Sequence, residues 1–235
     1  RIRGENERRM NMKKKLYLFL ACAAVAAMVL GGCGGKDKNN DAADGTEPDQ
    51  KQEEEIVYTS EDGRPPLADD LKDLYQGAAE IYAEISLGTF DADVNTTMEK
   101  NGNTYYKVTD ERFATYDDFQ AYLEQYFTKD FVSSEILAEK NIQFVKGDDG
   151  ALYFLGGGRG SNIFYAGHVF KLDRQTDKEI DLTATAYYST GDSAYNGEVF
   201  YVAPENADEF STTDYHFVML LEDGEWKFDD FVLFY

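Results

Sequence analysis

Leu67, Leu71, Leu74, Ala78, Ile81 and Ile85 recur at spacings of 4-3-4-3-4, the apolar stripe of an amphipathic helix. Pro65-Pro66 precede the stripe, Asp69 and Asp70 suit its first turn, and Gly88 supplies a stop. Gly77 inside it costs about 1 kcal/mol relative to Ala, which implies that another group packs closely there. Residues 91–103 carry no apolar period and are expected to form a loop before a short strand, Tyr105 to Val108. Thr115 and Asp118 form a capping-box pattern that opens a second helix with Phe119, Tyr122, Leu123 and Tyr126 on one side. Thr128 to Lys140 is expected to add a short third helix.

Past Asn141 the period changes from helical to alternating. Ile142 to Lys146 and Ala151 to Leu155 flank Gly147-Asp148-Asp149-Gly150, a hairpin signal. Ile163 to Leu172 predicts the next strand, and Ile180, Leu182, Ala184 and Ala186 alternate with polar residues as a half-buried strand does. Glu198 to Val202, Asp214 to Leu221 and Trp226 to Tyr235 complete the series, the last two joined by a turn at 222–225. Helices first and antiparallel strands after predict an α+β fold. The expected architecture has N-terminal helices packed on one face of a curved antiparallel sheet, in the order of cystatin-like or nuclear-transport-factor-like cones.

The first sixty residues read differently. Lys13-Lys14-Lys15 followed by a nearly unbroken apolar run from Leu16 to Leu30 has the flanks and length of a signal peptide. The run closes on Leu30-Gly31-Gly32-Cys33, which resembles the lipobox of bacterial lipoproteins, whose cysteine is acylated and becomes the mature N-terminus. Met10 or Met12 is the expected start, so residues 1–9 are read as upstream sequence. Residues 34–64 are acidic and poor in apolar groups, the composition of a disordered tether. The expected division is therefore 1–32 leader, 33–64 lipidated cysteine and tether, and 65–235 a single α+β domain.

Charge and cysteine usage narrow the chemistry. The net charge is −22, and residues 1–32 carry seven Lys/Arg against two Asp/Glu, so the mature chain stands near −27. Nucleic acid and anionic lipid headgroups are poor electrostatic partners for such a chain. Cys22 leaves with the leader and Cys33 is the anchor, so no thiol remains for catalysis, disulfides or zinc. Asp91, Asp93, Asn95, Thr97 and Glu99 begin like a calcium loop, but Thr96 stands where Gly is needed and Gly102 where a bidentate Glu is needed. No metal and no cofactor are expected.

The most conspicuous local motif is Gly156-Gly157-Gly158-Arg159-Gly160-Ser161. It lacks the Lys and the following helix of a phosphate loop, and the Gly-x-Ser-x-Gly context of a nucleophile elbow. His168 and His216 are the two histidines, each set among apolar strand residues and each expected to be a packed core histidine. A small acid/base enzyme using His168 and a carboxylate is the lesser alternative. Glycines in series let a backbone approach a partner closely, and Arg159 offers forked donors on an acidic chain. Gly157, Gly158, Arg159, Gly160, Ser161 and Asn162 are accordingly the candidate recognition loop, with Asp148 and Asp149 at the hairpin tip as its rival. A plain strand connection explains the same residues equally well.

The leader, the tether, "YYKVTDERFATYDDFQAYLEQYFTKDF" (105–131), "DGALYFLGGGRGSNIFYAG" (149–167) and "EDGEWKFDDFVL" (222–233) together resemble the IseA-type DL-endopeptidase inhibitors. The resemblance implies a non-enzymatic envelope protein of Gram-positive type that blocks an NlpC-type cysteine peptidase with a loop in its cleft. Its partners would be a cell-wall DL-endopeptidase and, through Cys33, the membrane. The alternative is a small-ligand or glycan-binding module of the envelope, using a pocket in the cone.

Overall fold

The computed structural model describes residues 60–158, 160–190 and 197–235, which fall in one compact unit. The leader, Cys33, most of the tether and Arg159 lie outside the described residues. The fold is α+β, with antiparallel strands as the pattern predicts. The strands divide into two four-stranded sheets, ordered β1-β2-β4-β3 and β5-β6-β7-β8.

Helix α1 (Asp69–Leu87) carries Asp69 and Asp70 in its first turn and ends on Gly88 in the left-handed region, φ 65°. Acidic groups there favour the positive end of the helix dipole, and Gly at that cap avoids a Cβ penalty. Its buried residues are Tyr75, Ala78, Ile81 and Ile85, while Leu67, Leu71 and Leu74 pack partly buried beside them. Gly77 has the role its cost implies, since a Cβ there would stand 2.9 Å from Tyr126 Cζ.

Strand β1 (Ala92–Lys100) replaces the expected loop and pairs with β2 (Asn103–Val108). Asn101 and Gly102 both take positive φ, 52° and 79°, the requirement of a tight hairpin turn. Strand β1 is an edge strand with no buried residue, so it needs no apolar alternation, and Asn-Gly is its only local signature. The capping box at Thr115 is present and opens α2 (Tyr116–Leu123). The third helix is shorter than expected: α3 (Lys129–Phe131) passes into a π-helical turn, Val132–Ile136. Strands β3 (Phe144–Lys146) and β4 (Leu152–Leu155) form the expected hairpin.

The second sheet holds β5 (Tyr165–Gln175), β6 (Glu179–Ser189), β7 (Phe210–Glu222) and β8 (Glu225–Asp230). Three expectations shift here. Residues 198–202 make a single parallel bridge, Phe200 to Gly167, rather than a strand. Beyond Asp230 the chain leaves the sheet, yet Phe231, Leu233 and Phe234 stay buried. Ile163 and Phe164 lie before β5 and are exposed. Aromatic rings from both sheets and α1 meet in one core, where Tyr75 touches Phe170 and Phe217, and Phe90 touches Phe144 and Phe154, all at centroid separations of 5.2–6.4 Å. Such edge and tilted contacts are favoured geometries for aromatic pairs.

Candidate functional site

The glycine-rich segment is the connection between the two sheets: nine residues, 156–164, run from the end of β4 to the start of β5. Its first half is held by backbone contact. A Cβ on Gly158 would lie 2.6 Å from the Gly88 nitrogen and closer still to the Leu87 carbonyl carbon and oxygen. Seen from the helix, a Cβ on Gly88 would lie 3.0 Å from the Gly157 carbonyl. Gly157 itself has φ 101°, where a side chain is strained. Glycine therefore faces glycine across the C-terminal end of α1, and the segment crosses where that end leaves no room for side chains.

The second half is shaped by Asn162. Its side-chain Oδ1 accepts from the Phe164 amide at 3.0 Å, and its carbonyl accepts from the Tyr165 amide at 3.1 Å, a local Asx arrangement. The Phe164 carbonyl then accepts from the Ser189 amide at 2.7 Å, fixing the exit onto β6. Between these bonds Ile163 is 84 % exposed and Phe164 54 % exposed. Gly157, Gly158, Gly160, Ser161 and Asn162 are likewise exposed. Sequence pattern had merged Ile163 and Phe164 into the next strand, because an uninterrupted apolar run beside Tyr165 looks like strand. The usable signal was Asn162, a turn former placed just before them.

The rival pair, Asp148 and Asp149, sits apart on the β3–β4 turn. Asp148 is exposed. Asp149 is committed: its carboxylate accepts from Lys107 Nζ at 2.9 Å and from the Ala151 amide at 3.1 Å. Lys107 and then that amide hold its carboxyl below the usual range. The structure does not bring Asp148 and Asp149 together with the glycine segment by any hydrogen bond or ion pair among the described residues.

His168 is buried, as expected. Its Nε2 lies 2.7 Å from the Gly63 carbonyl, which only accepts, so Nε2–H donates; Nδ1 then accepts from the Tyr165 hydroxyl at 2.6 Å. Burial lowers its pKa to about 4, against the smaller opposing effect of the Gly63 bond. Both ring nitrogens are thus occupied by neutral partners, and no carboxylate among the described residues bonds to them. The residue clamps the start of the folded region onto β5. His216 departs from expectation: it is exposed, and the buried face of β7 carries Phe217 and Met219 instead. The buried alternation of β7 runs through Phe217 and Met219, so the neighbouring His216 faces outward. Its Nδ1 lies 3.1 Å from the Thr183 hydroxyl, which donates to Asp173.

Among the described residues no group of three or more His, Cys, Asp or Glu is placed to hold a metal ion, and no helix is long and apolar enough to cross a membrane. Asp91 to Glu99 is largely the edge strand β1, where Asp93 accepts from the Asn95 amide and the Thr96 hydroxyl.

No curated protein matches the chain at a significant level. Residues 67–232 match the family model described as IseA DL-endopeptidase inhibitor. That span runs from the residue before α1's cap into the C-terminal tail, and so takes in both sheets and the connection between them. The chain belongs to the IseA family of DL-endopeptidase inhibitors.

Proposed function

We propose that this chain is an extracytoplasmic lipoprotein, anchored through Cys33, that inhibits an NlpC-type DL-endopeptidase sterically. The 156–164 connection enters the substrate groove and excludes the stem peptide. The observation that carries this reading is the division of that connection: glycines 157 and 158 are packed on the end of α1, and the exposed apolar pair Ile163 and Phe164 projects beyond them. A pre-shaped segment loses little conformational entropy on docking, and exposed apolar side chains at its end supply the anchors that such contacts require. The acidic charge of the chain suits a basic cleft and speeds encounter with one. A catalytic role has no support in the histidines, since His168 is neutral and doubly bonded.

The test is inhibition of a purified NlpC-type DL-endopeptidase by the full chain and by the double variant Ile163→Ser/Phe164→Ser. Loss of the pair is expected to raise the inhibition constant at least tenfold, on the order of 1.4 kcal/mol, with the unfolding midpoint unchanged. An unaltered inhibition constant removes this segment from the mechanism. The anchor is tested separately by Cys33→Ser, which is expected to move the protein from the membrane to the soluble fraction and to abolish the diacylglycerol mass increment.

A further inference from the structure

Beside α1 lies a feature the inhibitor reading does not use. An open groove of about 730 Å³ separates the helix from the segment around Tyr201, within the size range of ligand sites. Four tyrosines line it: Tyr75, Tyr165, Tyr201 and Tyr235. Tyr75 is only 7 % exposed, and among the described residues its phenol has no hydrogen-bond partner. Burial pushes that phenol's pKa well above its usual value, and the neighbouring phenols of Tyr235, Tyr165 and Tyr201 add to the effect. No buried side-chain polar atom among the described residues is left unsatisfied, so the phenol oxygen is not sealed in the core but reaches the groove, where it presents an acceptor.

The charged groups around the groove indicate the ligand's sign. Asp62, Glu80 and Glu84 line it, against Arg64 as the one lining cation among the described residues. Arg64 is already engaged by Asp73 at 3.2 Å and by Gln76. Glu84 is paired with Arg112. Glu80 accepts one hydrogen bond, from Gln76 Nε2 at 2.9 Å, and has no ion pair among the described residues. Aromatic rings beside an uncompensated carboxylate are the usual surroundings of an ammonium group, and the strongly acidic chain favours a cation over an anion.

We infer that this groove binds the protonated ω-amino side chain of a peptide, its aliphatic stem against the tyrosine rings, its ammonium donating to the Tyr75 phenol oxygen, and Glu80 supplying the countercharge. The site is separate from endopeptidase inhibition and does not rest on it. The probe is acetyl-Ala-Lys-Ala-amide titrated into the full chain, with the ε-acetylated peptide and a neutral chito-oligosaccharide as comparison ligands, followed by NMR of the tyrosine ring signals. The lysyl peptide is expected to shift those signals saturably and to bind at least tenfold more tightly than its ε-acetylated form. Tyr75→Phe keeps the ring and removes the hydroxyl, and Glu80→Gln keeps the size and removes the charge; each is expected to weaken binding about tenfold. Glu80→Gln is exposed on the helix and keeps the test intact if Tyr75→Phe disturbs the core. Equal binding of the two peptides, tighter binding of the oligosaccharide, no saturable shift, or undiminished binding by Glu80→Gln overturns the inference.

Discussion

The two turns that follow β3 and β4 look alike in sequence and differ in what holds them. At 147–150 the turn is closed by one internal bond, the Gly150 amide donating to the Gly147 carbonyl at 2.9 Å, and its polar groups are also tied to neighbours, Asp149 to Lys107 and the Gly150 carbonyl to the Tyr116 amide at 3.0 Å. The 156–164 connection is held by a neighbour, the end of α1, through a contact that only glycine permits. The 147–150 turn thus has its polar groups committed within the domain. At the other end of the 156–164 connection the backbone is tied by the Asn162 turn and the Phe164–Ser189 bond, while the side chains of Ile163 and Phe164 stay exposed. Polar, charged turns attract attention as binding elements, yet in this protein the exposed large apolar side chains of the two segments include Ile163 and Phe164 of the glycine-rich one.

The largest expected effect lies inside the glycine segment. Gly158→Val places a side chain against the Leu87 and Gly88 backbone, and about 3 kcal/mol of stability or more should be lost in urea unfolding. Gly160→Ala meets nothing within 4 Å and should change stability by under about 0.5 kcal/mol. Equal losses in the two variants would erase the distinction between the half packed on α1 and the exposed half.

Acid offers the next test, through the clamp just past the connection. His168 has a folded pKa of about 4 against about 6.5 unfolded, so the unfolded chain binds the proton more readily. Stability is then complete above pH 6.5 and falls as the pH drops from there toward 4, by at most about 3 kcal/mol. In His168→Gln this slope should vanish from unfolding curves taken between pH 4.5 and 7.5. A slope that persists would assign the dependence to other groups.

The smallest effect is expected at the 147–150 turn. Asp149→Asn removes an exposed charge pair with Lys107, and exposed pairs contribute little. The unfolding midpoint and the endopeptidase inhibition constant should both stay near those of the parent, whereas Ile163→Ser/Phe164→Ser changes the second and not the first. If Asp149→Asn weakens inhibition as much as the apolar pair does, the ranking of the two turns is reversed.

Much of the architecture was legible wherever one face of an element is buried and the other wet. The stripe of α1, the capping box at Thr115, the β3–β4 hairpin and the alternation along β6 all follow that rule. Legibility failed where burial is absent or two-sided. Strand β1 buries no residue, so no apolar period marks it. Strand β5 is buried continuously from Ala166 to Phe170, because α1 covers one face and the Phe200 segment meets the other. Gly167 permits that approach, since a Cβ there would lie 2.6 Å from Phe200 Cδ2. At the candidate site the residues 157–162 were visible as unusual, but the purpose of Gly158 was not, because its partner Gly88 is seventy residues away.

The amino-acid sequence by itself determined the helix faces, the caps and most strand positions, since these depend on neighbours one to four residues apart. It also carried the family likeness and the acidic charge. Tertiary structure alone decided that the strands split into two sheets, that a glycine connection crosses the end of α1, that Ile163 and Phe164 face solvent, and that the Tyr75 phenol lines an open groove. Each of these depends on which distant segments come into contact, and contact between distant segments is set by the packing of the whole core rather than by local period.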